Sequence, residues 1–153
     1  WDNLQGIAEK TASGRTQIDG PTEVSDLDKT AANKALAKGF ANDVLMGKNP
    51  GKITDYISTE KYHQHNPAVA DGLPALGAAI KAMADAGTPM TYTANHAVFG
   101  AGNFALTVSE GQFLGKHSSF YDLLRIEDGK IVEHWDVQEK TGPEDTWNNS
   151  GKF

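Results

Sequence analysis

Two carboxylates and one imidazole fall at alternate positions in the last two strand-like segments of the chain. His134 and Asp136 are two residues apart in the segment 131–138, and Asp122 lies in the preceding segment. Because alternate residues of a strand point to the same face, His134 and Asp136 share one face of the predicted sheet. A carboxyl enclosed by apolar neighbours has a raised pKa and can exchange protons near neutrality, so this trio predicts general acid/base chemistry. The open alternative is a cross-strand pair, Asp122 with His134, that only satisfies two buried polar groups.

The turn at residues 127–129 decides which side chains meet across the two strands. A two-residue turn would pair Glu127 with Lys130, whereas a three-residue loop with a left-handed Gly129 pairs Ile126 with Lys130. We favour the three-residue loop, which places Asp122 opposite His134 and Phe120 opposite Asp136. The predicted pocket face then contains Ser118, Phe120, Asp122, Leu124, Val132, His134, Asp136 and Gln138.

The opposite face of the same two strands is apolar and aromatic. An apolar aromatic face left outside a small domain is typical of a subunit interface, so we predict a homodimer through this outer sheet face. Its members are Tyr121, Ile131, Trp135 and Val137.

A metal site is the second kind of chemistry to consider. His63 and His65 form a His-x-His pair that could bind a metal together with His134 and a carboxylate. The pattern arises often by chance and its ligands would have to converge from distant segments, so we predict no metal. The sequence also contains no Gly-x-Ser-x-Gly elbow, phosphate loop or dinucleotide fingerprint.

The elements that position these residues change type along the chain. Helical spacing runs from a cap at Ser25 or Asp26 to a stop at Gly47, and again over residues 73–86. Residues 53–58 predict a short helix or turn. Strand patterns follow at 90–99, 104–113, 116–126 and 130–138. Helices followed by antiparallel strands predict an α+β domain, with a curved, cone-shaped sheet wrapped around N-terminal helices.

The predicted domain covers residues 26–140, with an extended N-terminal arm at 1–25 and a loop-like tail at 141–153. The opening Trp1-Asp2 and the later Trp135-Asp136 are each followed within a few residues by Glu-Lys-Thr. This echo is compatible with a preceding repeat, of which the arm would be the tail, and equally with chance.

Composition excludes several classes of function. The 153 residues carry a net charge of −6 and have no Lys/Arg cluster, which argues against nucleic acid as a partner. No apolar run approaches the length of about 20 residues that a membrane-spanning helix needs, so we predict no membrane association. The absence of cysteine does not separate cytosol from periplasm, so localisation stays unknown, with the cytoplasm slightly favoured.

Two segments carry a family resemblance. Residues 62–67 with Ala70-Asp71-Gly72, and residues 120–136 with the Glu-Asp-Gly turn and the run Ile-Val-Glu-His-Trp-Asp, resemble the SnoaL-like polyketide cyclase family of the nuclear transport factor 2-like superfamily. The resemblance spans about residues 29–138. It implies a cone formed by a curved antiparallel sheet around helices, a deep pocket within the cone and commonly a dimer through the outer face.

The resemblance also implies roles for particular residues. Asp136 matches the aspartate that acts as general acid/base in an intramolecular aldol closure, without metal or cofactor. His63 departs from the apolar residue more usual at its position. Tyr62, Gln64, His65 and Asn66 match the motif that lines the pocket mouth, and we add Phe120, Leu124 and Trp135 as further substrate-binding residues.

Two functions are compatible with these features. The first is a cofactor-independent acid/base enzyme acting on a small carbonyl compound by aldol cyclisation, isomerisation or dehydration, with His134 or Asp122 helping Asp136. The second is a non-catalytic binding or sensing domain that holds a small apolar or carbonyl ligand in the same pocket. Since one fold serves many functions, the resemblance does not choose between them.

Overall fold

The computed structural model describes residues 10–149 and 151–153. The opening Trp1-Asp2 of the repeat-like echo lies outside the described residues. Among the helices of the described part, none is both long and apolar enough to cross a membrane.

Helices precede the main strands along the chain, as the sequence predicts. The helices are α1 at Thr30–Phe40, α2 at Ile53–Tyr56 and α3 at Leu73–Asp85. Short 3-10 turns at Leu27–Lys29, Pro50–Lys52 and Glu144–Thr146, and a π turn at Ala41–Leu45, extend or connect them. The strands are β1 at His63–Gln64, β2 at Thr91–Ala101, β3 at Phe104–Phe113, β4 at Lys116–Glu127 and β5 at Lys130–Lys140.

The strands form one curved sheet in the order β1-β5-β4-β3-β2. β1 runs parallel to β5, and the remaining neighbours are antiparallel. Register shifts in β2 and β5 bend the sheet, because each inserts an extra residue on one strand. The α+β prediction is confirmed, and the two-residue parallel strand β1 is an addition to it.

The first helix begins differently from the prediction. Asp26 precedes the 3-10 turn in the left-handed conformation, and neither Ser25 nor Asp26 caps the helix through its side chain. Leu27, the first residue of the 3-10 turn, is 70% exposed. The stop at Gly47 agrees with the sequence, since this glycine has a positive φ of 68°.

One apolar core lies between the helices and the concave face of the sheet. α1 contributes Ala37 and Phe40, which pack against residues of β3, β4 and β5. Ile57 and Tyr62 complete it from the segments before and after the turn at residue 60. The sheet residues of this core are Ala105, Leu124, Ile126 and Ile131.

The β4–β5 hairpin corrects the predicted register. Glu127 pairs with Lys130 across a two-residue turn in which Asp128 and Gly129 both have positive φ, so the three-residue loop is wrong. A bulge next to Ile126 then shifts the pairing, and Asp122 lies opposite Asp136 instead of His134. His134 lies opposite Leu124.

The corrected register still keeps the predicted side chains on one face. It differs from the predicted register by two residues beyond the bulge, and a shift of two preserves the face of every side chain. Phe120 therefore lies opposite Gln138 instead of Asp136. Between the turn and the bulge the pairing differs from the predicted one by a single residue, which reverses the face on which each side chain lies. Ile131, predicted on the outer face, therefore lies in the core with 0% exposure.

Candidate functional site

The concave face brings Asp122, His134 and Asp136 together. Asp122 and Asp136 are direct cross-strand partners, a placement that puts Cβ atoms about 5 Å apart. Diagonally across the same strands, His134 Nε2 lies 3.0 Å from Asp122 Oδ1. Two carboxylates and an imidazole therefore share one small patch of the sheet.

Asp122 is the most enclosed member of the patch, with 1% exposure. The Tyr92 hydroxyl donates to Asp122 Oδ1 at 3.2 Å, and the Thr107 hydroxyl donates to Oδ2 at 3.3 Å. With His134 as a third partner, this carboxyl group is contacted by side chains of β2, β3 and β5. These contacts fix its position on the sheet.

His134 is held between two acceptors. Its Nδ1 lies 3.1 Å from Gln64 Oε1, and its Nε2 faces Asp122. Burial alone lowers the pKa of an imidazole, but the hydrogen bond to Asp122 and the charges of Asp136 and Asp122 raise the pKa of His134 overall. The protonated form is therefore favoured at this position.

Asp136 differs from Asp122 in having few fixed partners. Asn66 Nδ2 donates to its Oδ2 at 2.9 Å, and no other described side chain is seen donating a hydrogen bond to it. Burial raises its pKa, His134 lowers it and Asp122 raises it again, so the pKa of Asp136 lies above its ordinary value. A carboxyl of this kind can take up and release a proton where a free aspartate would stay ionised.

Aromatic rings flank the charged patch. Tyr92 and Phe120 stack with their centroids 4.4 Å apart. The Tyr62 hydroxyl accepts a hydrogen bond from Gln64 Nε2 at 3.2 Å, and burial raises the pKa of Tyr62. Leu124, predicted to contact a ligand, is instead fully buried within the apolar core.

His65 and Trp135 lie on the other side of the sheet. Their rings stack at 4.5 Å, and His65 Nε2 lies 2.8 Å from Glu133 Oε1. Glu133, which is 1% exposed, also accepts from Arg125 Nε at 2.6 Å. The side chains of these two predicted ligand-contacting residues therefore lie on the face opposite the Asp122–His134 pair.

The same network fixes the N-terminal arm. His65 Nδ1 donates to the Thr16 carbonyl at 2.6 Å, and Trp135 Nε1 donates to the Asp19 carbonyl at 2.9 Å. Further along, the Ser25 backbone and the Asn103 side chain and backbone exchange hydrogen bonds of 2.9 Å. The described part of the arm thus crosses the outer face of the sheet, attached at both ends.

The outer face carries a cavity of its own and is partly covered. A cavity of about 520 Å³ lies between the arm and an apolar floor that includes Tyr121, Trp135 and Val137. The Tyr121 hydroxyl donates to the Lys152 carbonyl at 2.7 Å, and Phe153 stacks on His96 at 4.5 Å. The C-terminal tail therefore packs on another part of this face, and the residues that line the cavity include Asp136 as well as Trp135 and Val137.

Of the three histidines in the metal hypothesis, His63 and His65 both approach Glu133, but His134 does not. His63 Nδ1 lies 3.9 Å from Glu133 Oε1, while His134 pairs with Asp122 on the opposite face. Within residues 10–149 and 151–153, no group of three or more His, Asp or Glu side chains is arranged to hold a metal ion.

Sequence reasoning missed several groups that complete the patch. The position of Thr107 could have been predicted from the sequence. It lies two residues from both Ala105 and Ser109, so the three side chains share one face of the strand next to Asp122. Tyr92 lies before a register shift of β2, which hides its face from a periodicity argument.

Comparisons with known proteins bear on the fold. No protein-family model and no curated protein sequence matches the chain. Among solved structures, a protein of unknown function with a cystatin-like fold from Xanthomonas campestris matches with a TM-score of 0.58 at 23% identity, over 71% of this chain and 91% of that one.

Two further matches are to proteins provisionally assigned as enzymes. IdmH of Streptomyces antibioticus, provisionally a polyketide cyclase, gives a TM-score of 0.53 at 18% identity over 70% of this chain and 91% of its own. A protein of Kribbella flavida, provisionally a ketosteroid isomerase, gives 0.59 at 13% identity over 79% and 91%. At these identities the likeness concerns the fold alone. The chain has the α+β fold of these structures, which is described as cystatin-like for the Xanthomonas campestris protein.

Proposed function

We propose that this protein is a cofactor-independent acid/base enzyme acting on a small carbonyl compound. The observation that carries the proposal is the pairing of two unlike carboxylates on the concave face. Asp122 has three side-chain hydrogen-bond partners, whereas Asp136 has one, at a single oxygen, and has a raised pKa. Two neighbouring carboxyl groups in such different environments are typical of acid/base sites.

Asp136 is the base in the proposed reaction. It removes a proton from the carbon next to a carbonyl group, the C–H bonding pair moves toward the carbonyl carbon, and the carbonyl oxygen becomes an enolate oxygen. Because the raised pKa strengthens the carboxylate as a base, proton transfer from a weakly acidic carbon costs less than it would with a free aspartate.

Asn66 is the donor best placed for the enolate oxygen. One N–H of its Nδ2 donates to Asp136, and its Oδ1 accepts from the Ala68 backbone, which fixes the orientation of the amide. The second N–H of Nδ2 is then free to donate to an oxygen next to the base. A donor fixed before the reaction stabilises developing negative charge without reorganisation.

The Asp122–His134 pair contributes through its charge. A protonated His134 lies close enough to Asp136 to lower its pKa, while Asp122 raises it. The pair thereby limits the shift of Asp136 and offsets part of the negative charge that the enolate adds. The enolate then attacks a second carbonyl, is protonated at another carbon or expels a hydroxyl group, and Asp136 returns the proton.

A turnover screen with two matched variants tests the proposal. Enolisable ketones and aldol substrates are incubated with wild type, Asp136→Asn and Asp128→Asn, the last being the same substitution in the hairpin turn. A lost general base lowers turnover by a factor of about 10² to 10⁴. We expect that loss only in Asp136→Asn. Equal turnover in wild type and Asp136→Asn contradicts the mechanism.

The alternative function, a non-catalytic ligand-binding domain, would give a different result in the same screen. Saturable binding of a ketone to wild type, with no turnover of any substrate, would favour that function. Wild-type turnover that falls as pH decreases through the raised pKa of Asp136 would favour the enzyme, because the base must be ionised to act.

A further inference from the structure

Gln64 has an orientation that the surrounding backbone determines. Its Oε1 accepts the backbone N–H of His65 at 3.0 Å and that of Asn66 at 3.1 Å. Its Nε2 donates to the Tyr62 hydroxyl at 3.2 Å. If the amide were turned over, its NH₂ group would face two other donors, so the carbonyl oxygen must be the atom that points to the backbone.

This fixed oxygen decides which nitrogen of His134 carries a hydrogen. His134 Nδ1 lies 3.1 Å from Gln64 Oε1, an atom that can only accept. Nδ1 must therefore be protonated to avoid two lone pairs in contact. The neutral tautomer with hydrogen on Nε2 alone is excluded by the same contact.

The remaining nitrogen then shares one proton with Asp122. His134 Nε2 and Asp122 Oδ1 are 3.0 Å apart, and with Nδ1 protonated the contact needs a hydrogen on either partner. An imidazolium facing a carboxylate or an imidazole facing a carboxylic acid satisfies it. An unprotonated Nε2 facing an ionised Asp122 does not.

The main-chain geometry explains how Gln64 reaches this position. β1 consists of two residues, and within it Gln64 is the parallel partner of His134 on β5. The His65 N–H that reaches Gln64 Oε1 is shared with the His134 carbonyl, also at 3.0 Å, and this contact anchors the pair. Gln64 itself is 1% exposed, so its amide is enclosed by these partners and is not open to a ligand.

We propose that Gln64 is a positioning residue that fixes the Nδ1-protonated form of His134 and so holds a proton between His134 Nε2 and Asp122, beside Asp136. This replaces the substrate contact that the sequence predicted for Gln64. A role of this proton in catalysis rests on the proposed function. The protonation of His134 Nδ1 itself does not.

Nitrogen NMR of the full chain tests the inference directly. Two-bond proton–nitrogen correlation spectra of ¹⁵N-histidine-labelled protein distinguish the two neutral tautomers and the imidazolium, and a His134→Gln variant assigns the signals. We expect His134 to keep a protonated Nδ1 throughout the titration. A neutral His134 with hydrogen on Nε2 alone overturns the proposal.

Two variants keep the test decisive. Gln64→Glu retains an acceptor for both backbone N–H groups and adds a negative charge at Nδ1, so it should shift the titration of His134 to higher pH. Gln112→Glu adds the same charge at an exposed position of β3 and should leave His134 unchanged. An unshifted His134 in Gln64→Glu contradicts the proposal. If His134 shows the expected tautomer but the protein turns over no substrate, only the proposed function is contradicted.

Discussion

Replacing the buried Glu133 by glutamine should destabilise the fold more than the same substitution of an exposed glutamate. Glu133 is 1% exposed, accepts a charged hydrogen bond from Arg125 at 2.6 Å and lies 2.8 Å from His65 Nε2. In Glu133→Gln the amide has one acceptor for two donors, and the Arg125 guanidinium, with 7% side-chain exposure, loses a buried counter-charge.

The size of the effect follows from these contacts. Breaking a buried ion pair from one side costs about 3 to 5 kcal/mol, and the lower end applies because glutamine keeps the shape and one acceptor. For a chain of this size each kcal/mol lowers Tm by about 2 to 4 °C, so a loss of 3 kcal/mol corresponds to a decrease of about 6 to 12 °C.

Thermal and urea unfolding followed by circular dichroism measure this loss. The matched control is Glu127→Gln, since Glu127 contacts the same Arg125 but its side chain is 41% exposed. The control should cost less than about 1 kcal/mol. If Glu133→Gln unfolds within about 1 kcal/mol of wild type, the reasoning about the buried network is wrong.

The pH dependence gives a second check on the same residue. Burial alone raises the pKa of Glu133, but the hydrogen bonds from His65 and Arg125 outweigh it and hold the pKa below its ordinary value of 4.5. The stabilising contribution is therefore complete above pH 4.5 and lost as pH falls through the lowered value. The difference between wild type and Glu133→Gln should shrink in that acid range and stay constant near neutrality.

Three further outcomes are expected. Asp136→Asn should raise Tm at neutral pH, because a carboxyl with a raised pKa destabilises the folded state where it is ionised, and the gain should vanish below pH 3.8; an unchanged or lower Tm at pH 7 would count against the raised pKa. Gly102→Ala should lower the free energy of unfolding in urea by at least about 2 kcal/mol, because φ is +57° and a Cβ would lie 1.8 Å from the Ser25 carbonyl oxygen. Gly51→Ala, with open space around it, should not. Equal stability of the two variants would refute this. If the protein dimerises through the outer face, Val137→Glu should lower the molar mass measured by light scattering; a dimer unaffected by the charge would place the interface elsewhere.

The long strands could be predicted because their signals are local. β3 begins and ends at the predicted residues, and β4 and β5 start where predicted, since strand-forming residues lie between turns rich in glycine. The side chains predicted for the pocket face still share one face, because the error in the turn and the bulge together moved the register by an even number of residues.

What the sequence did not reveal depends on contacts between distant segments. β1 has two residues in a polar segment, and its pairing with β5 turns Gln64 toward His134 and His65 toward Glu133 on opposite sides of the sheet. A strand of two residues is too short to show a hydrophobic period. The placement of Ile131 in the core likewise follows from a bulge that its own residue type does not indicate.

A carbon NMR titration of the Asp136 side chain tests the central claim most directly, because the proposed chemistry depends on how this one carboxyl binds a proton. The carboxyl carbon of ¹³C-aspartate-labelled protein is followed with pH, and the signal missing in Asp136→Asn identifies the residue. We expect a midpoint clearly above the ordinary value of 3.8. A midpoint at or below 3.8 would show that Asp136 is an ordinary ionised carboxylate and would contradict its role as the base.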